Sequence, residues 1–299
     1  MKEILIFGTG ALATLFAARL SAAGVDVTML GTWQAGLDAL RKEGARLVGA
    51  DRVERAYPVH ATDDPAECRG ARFALVLVKA WQTERAAGQL AICLAEDGLA
   101  LTLQNGLGNR EILAQTLGLP RVALGVTTIG ATLLGPALVR LGGEGTISLE
   151  AHLRLRPLEA MLRASGFAVN VVEDARSLVW GKLVVSAAIN PLTALLRVPN
   201  GELLQRPAAR LLMGELGREA AAVARAQGVS LPFEAPESAA EEVARRTAAN
   251  HSSMLQDVLR GAPTEIDAIC GAIVRAGEET GVPTPVNRVT WHLVKALSG

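Results

Sequence analysis

The sequence is short of aromatic side chains, with one tyrosine, five phenylalanines and four tryptophans in 299 residues. Proteins that grip single-stranded nucleic acid stack bases on aromatic platforms, so this scarcity argues against that class. Charge excess is also missing. Thirty Lys and Arg balance thirty Asp and Glu, leaving no net field to attract nucleic acid or an anionic membrane. There are three cysteines, Cys68, Cys93 and Cys270, an odd count without a C-x-x-C pair. They read as free thiols, and a cytoplasmic protein is expected. The four histidines (His60, His152, His251, His292) are scattered without metal-ligand spacing, so no metal is expected. The opening MKEILIFGTG has too short an apolar run for a signal peptide. No uninterrupted run is read as reaching membrane-spanning length, so no membrane partner is expected.

What is present is aliphatic. Half the residues are hydrophobic and a fifth are charged, enough for a well-packed globular chain of one large domain or two. In the first half, short apolar runs alternate with helical patterns. Ile4 to Phe7, Val25 to Leu30, Phe73 to Val78 and Leu99 to Leu103 read as strands, and Ala11 to Ala23 as a helix. Unbroken Val/Leu runs separated by helices predict parallel strands covered on both faces. From Arg121 to about Ser148 the Gly- and Thr-rich text predicts more strand, antiparallel in part. Beyond Glu173 long helical patterns take over: Asp174 to Arg197, Leu203 to Gln227, Pro236 to Ala249, Thr264 to Thr280 and Val286 to Leu297. TEID (Thr264 to Asp267) has the form of a capping box at a helix start. The expected organisation is an α/β domain over 1–172 and an all-helical domain over 173–299.

GTGALA (Gly8 to Ala13) follows the first strand and opens the first helix, which is the context of the G-x-G-x-x-G/A dinucleotide fingerprint. Gly8 permits the tight turn, Gly10 lets a pyrophosphate approach the backbone, and Ala13 permits close packing. Thr9, Ala11 and Leu12 complete the loop, and the helix N-terminus offers N–H groups to an anion. After the second strand the text is LGTWQ, without the carboxylate that would hold the ribose hydroxyls of NAD. That favours NADP and leaves NAD open, with Thr32 holding a phosphate and Arg41 or Lys42 within reach. Lys79 ends the Phe73 to Val78 strand, either as a solvated turn residue or aimed at the cofactor crevice beyond the strand ends. Asn105-Gly106 has the form of a hairpin turn. Helical text follows it, however, so Asn105 is read as a crevice residue.

WGKLVVSAAINPL (Trp180 to Leu192) is apolar apart from Lys182, Ser186 and Asn190, spaced by four. On a helix they form one stripe about 12 Å long. The plain reading has the lysine snorkelling and the other two back-bonding or capping before Pro191. The functional reading turns the stripe towards an interdomain cleft, where a desolvated lysine is a usable proton donor. Glu265 is either a carboxylate at a helix N-terminus or a counter-charge that orients the lysine.

Together FGTGALA, VKAWQ, QNGLGN, WGKLVVSAAINPLTALLRVPNGE, NHSSMLQD and TEIDAICG resemble, in order and spacing, the ketopantoate reductase family. The resemblance covers almost the whole chain. It implies a Rossmann-type N-terminal domain, a helical C-terminal domain, and NADPH-dependent reduction of 2-dehydropantoate to (R)-pantoate on the way to pantothenate and coenzyme A. By matching motifs, Lys182 would be the proton donor and Glu265 its neighbour at cofactor and substrate. Asn105 would contact both ligands. Asn190, Asn200 and Ser253 would hold the substrate, and Ala131 would meet the cofactor through its backbone. The chain departs from the family where Ser186 replaces a common asparagine, which leaves the exact 2-oxo acid open. It departs again where Gly31 and Thr32 stand in place of an arginine, which leaves the coenzyme open. A reductase of another 2-oxo acid and a non-enzymatic dinucleotide sensor are the alternatives. The lysine–glutamate pair speaks against the sensor. A hydrolase built on Ser253, His251 and Asp257 lacks a nucleophile elbow. The helical half offers a surface for a homodimer, which no motif specifies.

Overall fold

The computed structural model describes residues 4–297. The chain divides into two units, one of residues 1–104 and 109–175, the other of residues 105–108 and 176–299.

The first unit is an α/β structure. Its eight-stranded sheet runs in the order β12-β11-β8-β7-β6-β1-β2-β5. The strands are β1 (Ile4–Phe7), β2 (Val27–Leu30), β5 (His60–Thr62), β6 (Ala71–Val76), β7 (Leu94–Thr102), β8 (Val122–Thr127), β11 (Thr146–Glu150) and β12 (Ala168–Val172). β5 through β8 across β1 are all parallel, with Ile4 level with Val27 on one side and Phe73 on the other. β11 runs antiparallel to β8, as the Gly/Thr-rich text suggested. The short run ILIF is central because every residue is apolar and both faces are covered. Ile4 and Ile6 enter one core, Leu5 and Phe7 the other. The chain leaves β1 towards β2 and β5, then returns to the opposite side as β6. This reversal is the switch point beyond whose strand ends ligands bind in open α/β sheets.

A second sheet has the order β4-β3-β10-β9, formed by β3 (Ala45–Val48), β4 (Glu54–Tyr57), β9 (Gly130–Gly135) and β10 (Leu138–Gly143). It packs on α1 (Ala11–Ala22), which also lies against β1 and β2. Held between two sheets, α1 buries nearly all round, from Ala13 to Ala18. α2 (Gln34–Glu43), α3 (Thr83–Cys93), α4 (Asn109–Leu117) and α5 (Arg156–Ala164) complete the unit.

The second unit is all-helical among its described residues. Its core helix is α6 (Ala175–Leu196), which continues through Pro191 instead of being capped before it. By length and composition α6 could cross a membrane, contrary to the expectation that no span is long enough. Its most apolar stretch is 61% buried, as in the core helix of a globular unit. The single helix expected from Leu203 to Gln227 is two, α7 (Glu202–Gln205) and α8 (Pro207–Ala226). Pro207 pushes Arg206 into an extended conformation and starts a new helix in its own first turn. α9 (Pro236–Arg246), α10 (Ser253–Leu259), α11 (Cys270–Thr280) and α12 (Pro285–Leu297) follow. Glu219 on α8 accepts from the backbone N–H groups of Val286 and Asn287, both at 2.9 Å, and so closes the exposed start of α12.

TEID is not a helix start. The chain coils from Glu265 to Ile269 in turns, and Ile269 (φ −102°, ψ −93°) breaks the path before α11 begins at Cys270. The break frees the Ala268 carbonyl, which accepts from Leu107 N at 3.1 Å. In this way residues 105–108, sequentially part of the first half, become part of the second unit. Gly106 makes the docking feasible. Its φ is +85°, and a Cβ there would lie 2.5 Å from Ala268 O. Asp267 anchors the same turn from the other side, accepting from Trp291 Nε1 at 2.7 Å and Lys295 Nζ at 3.2 Å on α12. Replacing Gly106 by alanine combines a disfavoured backbone conformation with a clash against a fixed carbonyl. The variant should lose about 2 kcal/mol or more in urea denaturation. A wild-type midpoint would show that the segment is not held as described.

Candidate functional site

In the first unit, the loop from Gly8 to Ala13 joins the end of β1 to α1. Gly8 (φ +131°) donates to Leu30 O at 2.8 Å, and a Cβ on it would press on Leu77 O at 3.2 Å. The loop therefore sits against the ends of β2 and β6 at the switch point. Thr9 is buried, Ala11 and Leu12 are partly so, and Ala13 is fully buried. Gly10 is the exposed N-cap of α1, and nothing lies within 4 Å of where its Cβ would be. A bare backbone at a helix N-terminus with approach space in front of it is the cradle a pyrophosphate needs. These residues fit a dinucleotide.

Other expected cofactor residues lie on different elements. β6 ends at Val76, three residues before Lys79, which begins a short 3₁₀ turn over Ala80–Gln82. The expectation that Lys79 ends the strand is therefore corrected. It stays half-buried just past the strand end. Ala131 is on β9, an edge strand of the second sheet, where it pairs with Leu141. Thr32 is exposed after β2 and accepts from Arg85 Nη1 at 2.7 Å. Arg41 does not serve Thr32. Its guanidinium is committed to Ala61 O, Asp38 and Asp63.

In the second unit, three expected residues meet. Lys182 Nζ donates to Asn105 Oδ1 at 2.6 Å, and Asn105 Nδ2 donates to Glu265 Oε2 at 3.1 Å. The amide has only one sensible orientation, oxygen towards the ammonium and NH₂ towards the carboxylate. Glu265 thus orients Lys182 through Asn105. Glu265 is 5% exposed and lies in the coiled turn ahead of α11, so the reading of it as a first-turn helix carboxylate is corrected. Lys182 is half-buried between fully buried helix neighbours. Desolvation pulls its pKa down from 10.5 to about 8, and the nearby Glu265 charge opposes the drop.

Gln104 and Asn109, for which no role is expected from their motif, bracket the segment that delivers Asn105. Thr83 Oγ1 accepts from Gln104 Nε2 at 2.9 Å and bonds Asn109 Oδ1 at 2.8 Å, so both ends of the excursion are fastened to α3. The polar symmetry of QNGLGN was the available signal.

The remaining substrate candidates are not brought to the triad by any side-chain bond. Ser186 and Asn190 lie on α6 beyond Lys182, half-buried, and neither side chain hydrogen-bonds to another described residue. Asn200 is buried, with Nδ2 on Thr247 Oγ1 at 2.8 Å and its Oδ1 without a partner among the described residues. Ser253 opens α10. Its neighbour Ser252 does the capping, accepting from Leu255 N at 3.0 Å and bonding Thr193 on α6 at 2.7 Å. Among the described residues, no group of three or more metal-ligating side chains occurs.

Residues 4–154 match the family model described as ketopantoate reductase PanE/ApbA, and residues 174–298 match its C-terminal counterpart. A 2-dehydropantoate 2-reductase of Archaeoglobus fulgidus is 38% identical, the alignment covering 99% of this chain and 98% of that protein. The crystal structure of a PanE/ApbA family ketopantoate reductase from Ralstonia eutropha superposes with a TM-score of 0.92 at 32% identity, covering 99% of this chain and 98% of the other. D-mandelate dehydrogenase in its ternary structure with NADH and anilino(oxo)acetate gives 0.91 at 25% identity, with the same coverage. A Rossmann-type unit followed by a helical one, carrying both family signatures over nearly its whole length, places this chain in the ketopantoate reductase family of oxidoreductases.

Proposed function

We propose that the protein reduces 2-dehydropantoate to (R)-pantoate with NADPH, Lys182 serving as the proton donor. The observation that carries this is the Lys182–Asn105–Glu265 relay. An amine brought towards neutral pKa by burial is held by an amide that is itself held by a buried carboxylate. A nicotinamide dinucleotide, when bound, would supply the hydride for the C2 carbonyl. Everything else falls to side chains of the chain. Asn105 Oδ1 takes one N–H of Lys182 and fixes the direction of the others. One of these faces the carbonyl oxygen, stabilises its growing negative charge and then transfers its proton. A pKa of about 8 keeps the amine mostly protonated at neutral pH, yet makes its proton easier to give than that of a free lysine. Ser186, Asn190, Asn200 and Ser253 are the candidates for holding the acid, and the Gly8–Ala13 loop for holding the pyrophosphate, with Thr32, Lys79 and Ala131 as further cofactor contacts.

Two observations favour a second reading, reduction of a different 2-oxo acid. The stripe carries the short Ser186 next to Lys182, and the similar D-mandelate dehydrogenase is seen with an aryl-substituted oxoacetate. Turnover on 2-dehydropantoate, a smaller 2-oxo acid and an aryl 2-oxo acid separates the two. The first reading requires the highest kcat/KM on 2-dehydropantoate.

Three further outcomes are expected. Lys182→Ala should lose roughly 10²- to 10⁴-fold in kcat, with coenzyme affinity largely kept. Turnover near that of the wild type would remove Lys182 from the chemistry. In the reduction direction kcat should fall as pH rises through about 8, because the donor is then deprotonated. Glu265→Gln deletes the charge that raises the Lys182 pKa, so its falling limb should move to lower pH. A limb that stays put or moves upward would contradict the relay.

A further inference from the structure

The end of β2 is where a dinucleotide-binding sheet chooses its coenzyme. An acid there accepts from the ribose hydroxyls of NAD, and an arginine nearby receives the 2′-phosphate of NADP. Here Leu30 is followed by Gly31, Thr32, Trp33 and Gln34, with no acid. Position 31 cannot carry the arginine either. A Cβ on Gly31 would lie 2.7 Å from Thr9 Cγ2, and Thr9 is buried inside the glycine-rich loop. A cation at this place has to arrive from another element.

Arg85 does so. It is the third residue of α3 and reaches across to Thr32, donating from Nη1 to Oγ1 at 2.7 Å. Its role is not explained by helix stability, since a cation in the first turn opposes the helix dipole. Nor is it explained by an ion pair, since no carboxylate among the described residues pairs with it. Arg41 differs, because Asp38 and Asp63 match its charge. The bond to Thr32 uses one of the five guanidinium N–H groups and leaves the Thr32 hydroxyl proton free to donate. The result is an exposed cluster of donors whose guanidinium is held in no ion pair among the described residues, although Glu84 precedes it in the same turn, with the positive end of α3 behind it. A phosphate monoester suits it, and the planar guanidinium can take two of its oxygens at once.

We propose that Arg85, with Thr32, binds the 2′-phosphate of NADP(H) and sets the preference for NADPH over NADH. This rests on the dinucleotide reading made above. The test is calorimetric titration of the full-length protein, wild type, Arg85→Gln and Arg85→Lys, with NADPH, NADH and the fragment 2′,5′-ADP. Wild type should bind NADPH more tightly than NADH. Arg85→Gln should weaken NADPH and 2′,5′-ADP by roughly 10- to 100-fold and NADH far less, with Arg85→Lys in between. Equal weakening of both coenzymes, unchanged NADPH affinity in Arg85→Gln, or a wild type that prefers NADH would each overturn the role of Arg85 while leaving a nicotinamide reductase in place. Failure of the wild type to bind either coenzyme would overturn the dinucleotide reading, and the inference with it.

Discussion

The carboxamide of Asn105 has an ammonium on one side and a carboxylate on the other, and much of the second unit is arranged to keep it there. An amide is suited to this place because it presents an acceptor and a donor on one rigid plane. An aspartate would repel Glu265, and a lysine would repel Lys182. For the amide to arrive, the backbone must run flat against the turn before α11, which is why the next residue is Gly106. For that turn to offer a carbonyl, the helix expected from TEID must be interrupted at Ile269. For the interrupted turn to stay coiled, Asp267 is tied down by Trp291 and Lys295 from α12, whose own start is closed by Glu219. The links at Glu265 and Glu219 satisfy polar groups that would otherwise be buried at a cost, whereas the Asp267 link lies in solvent and acts by tethering.

The first unit answers a different demand. Its fully apolar central strand needs cover on both faces, and the second, small sheet sets how that cover is made. By packing on α1, that sheet buries a helix whose surface is apolar almost all round. The N-terminal turn of α1 is then free to be shaped by the strand ends alone. The loop geometry at Gly8 follows from the spacing of β1, β2 and β6, and the N–H groups it presents need no supporting side chain.

The features that could be read in the sequence were those with a local cause. ILIF, the glycine-rich loop and the column of Lys182 and its neighbours carry their periodicity on the surface of the text, and the structure puts the first two at the switch point and the third on a core helix. Contiguous patterns misled where long-range bonds outweighed them. TEID has the form of a capping box, yet the competing acceptor for Leu107 lies 161 positions away in sequence, at Ala268. In the four-stranded sheet, β9 and β10 fall in the Gly- and Thr-rich text expected to be strand, but ARLV and ERAY are four residues long and largely accessible, so neither alternation nor an apolar run announces them. Arg85 was invisible for a similar reason: its partner Thr32 is 53 residues earlier, on another element. The break at Pro207 follows from the proline rule, which outweighs the longer helical period at that point.

Residues 105–108 also bear on how the chain can be made. The relay joins positions 77 and 160 residues apart, and its middle member is supplied by the half of the sequence that is synthesised first. A fragment beginning at residue 176 would contain the lysine and the glutamate but not the amide between them, and would present the Ala268 carbonyl to solvent. The helical unit is therefore not a module that can be cut out, swapped or translated alone with its polar centre intact. During synthesis the Asn105 segment must wait, anchored by Gln104 and Asn109 to Thr83, until more than half the chain has followed. The relay closes only once Glu265 has joined Asn105, so an assembled Lys182 site reports that both segments have folded together.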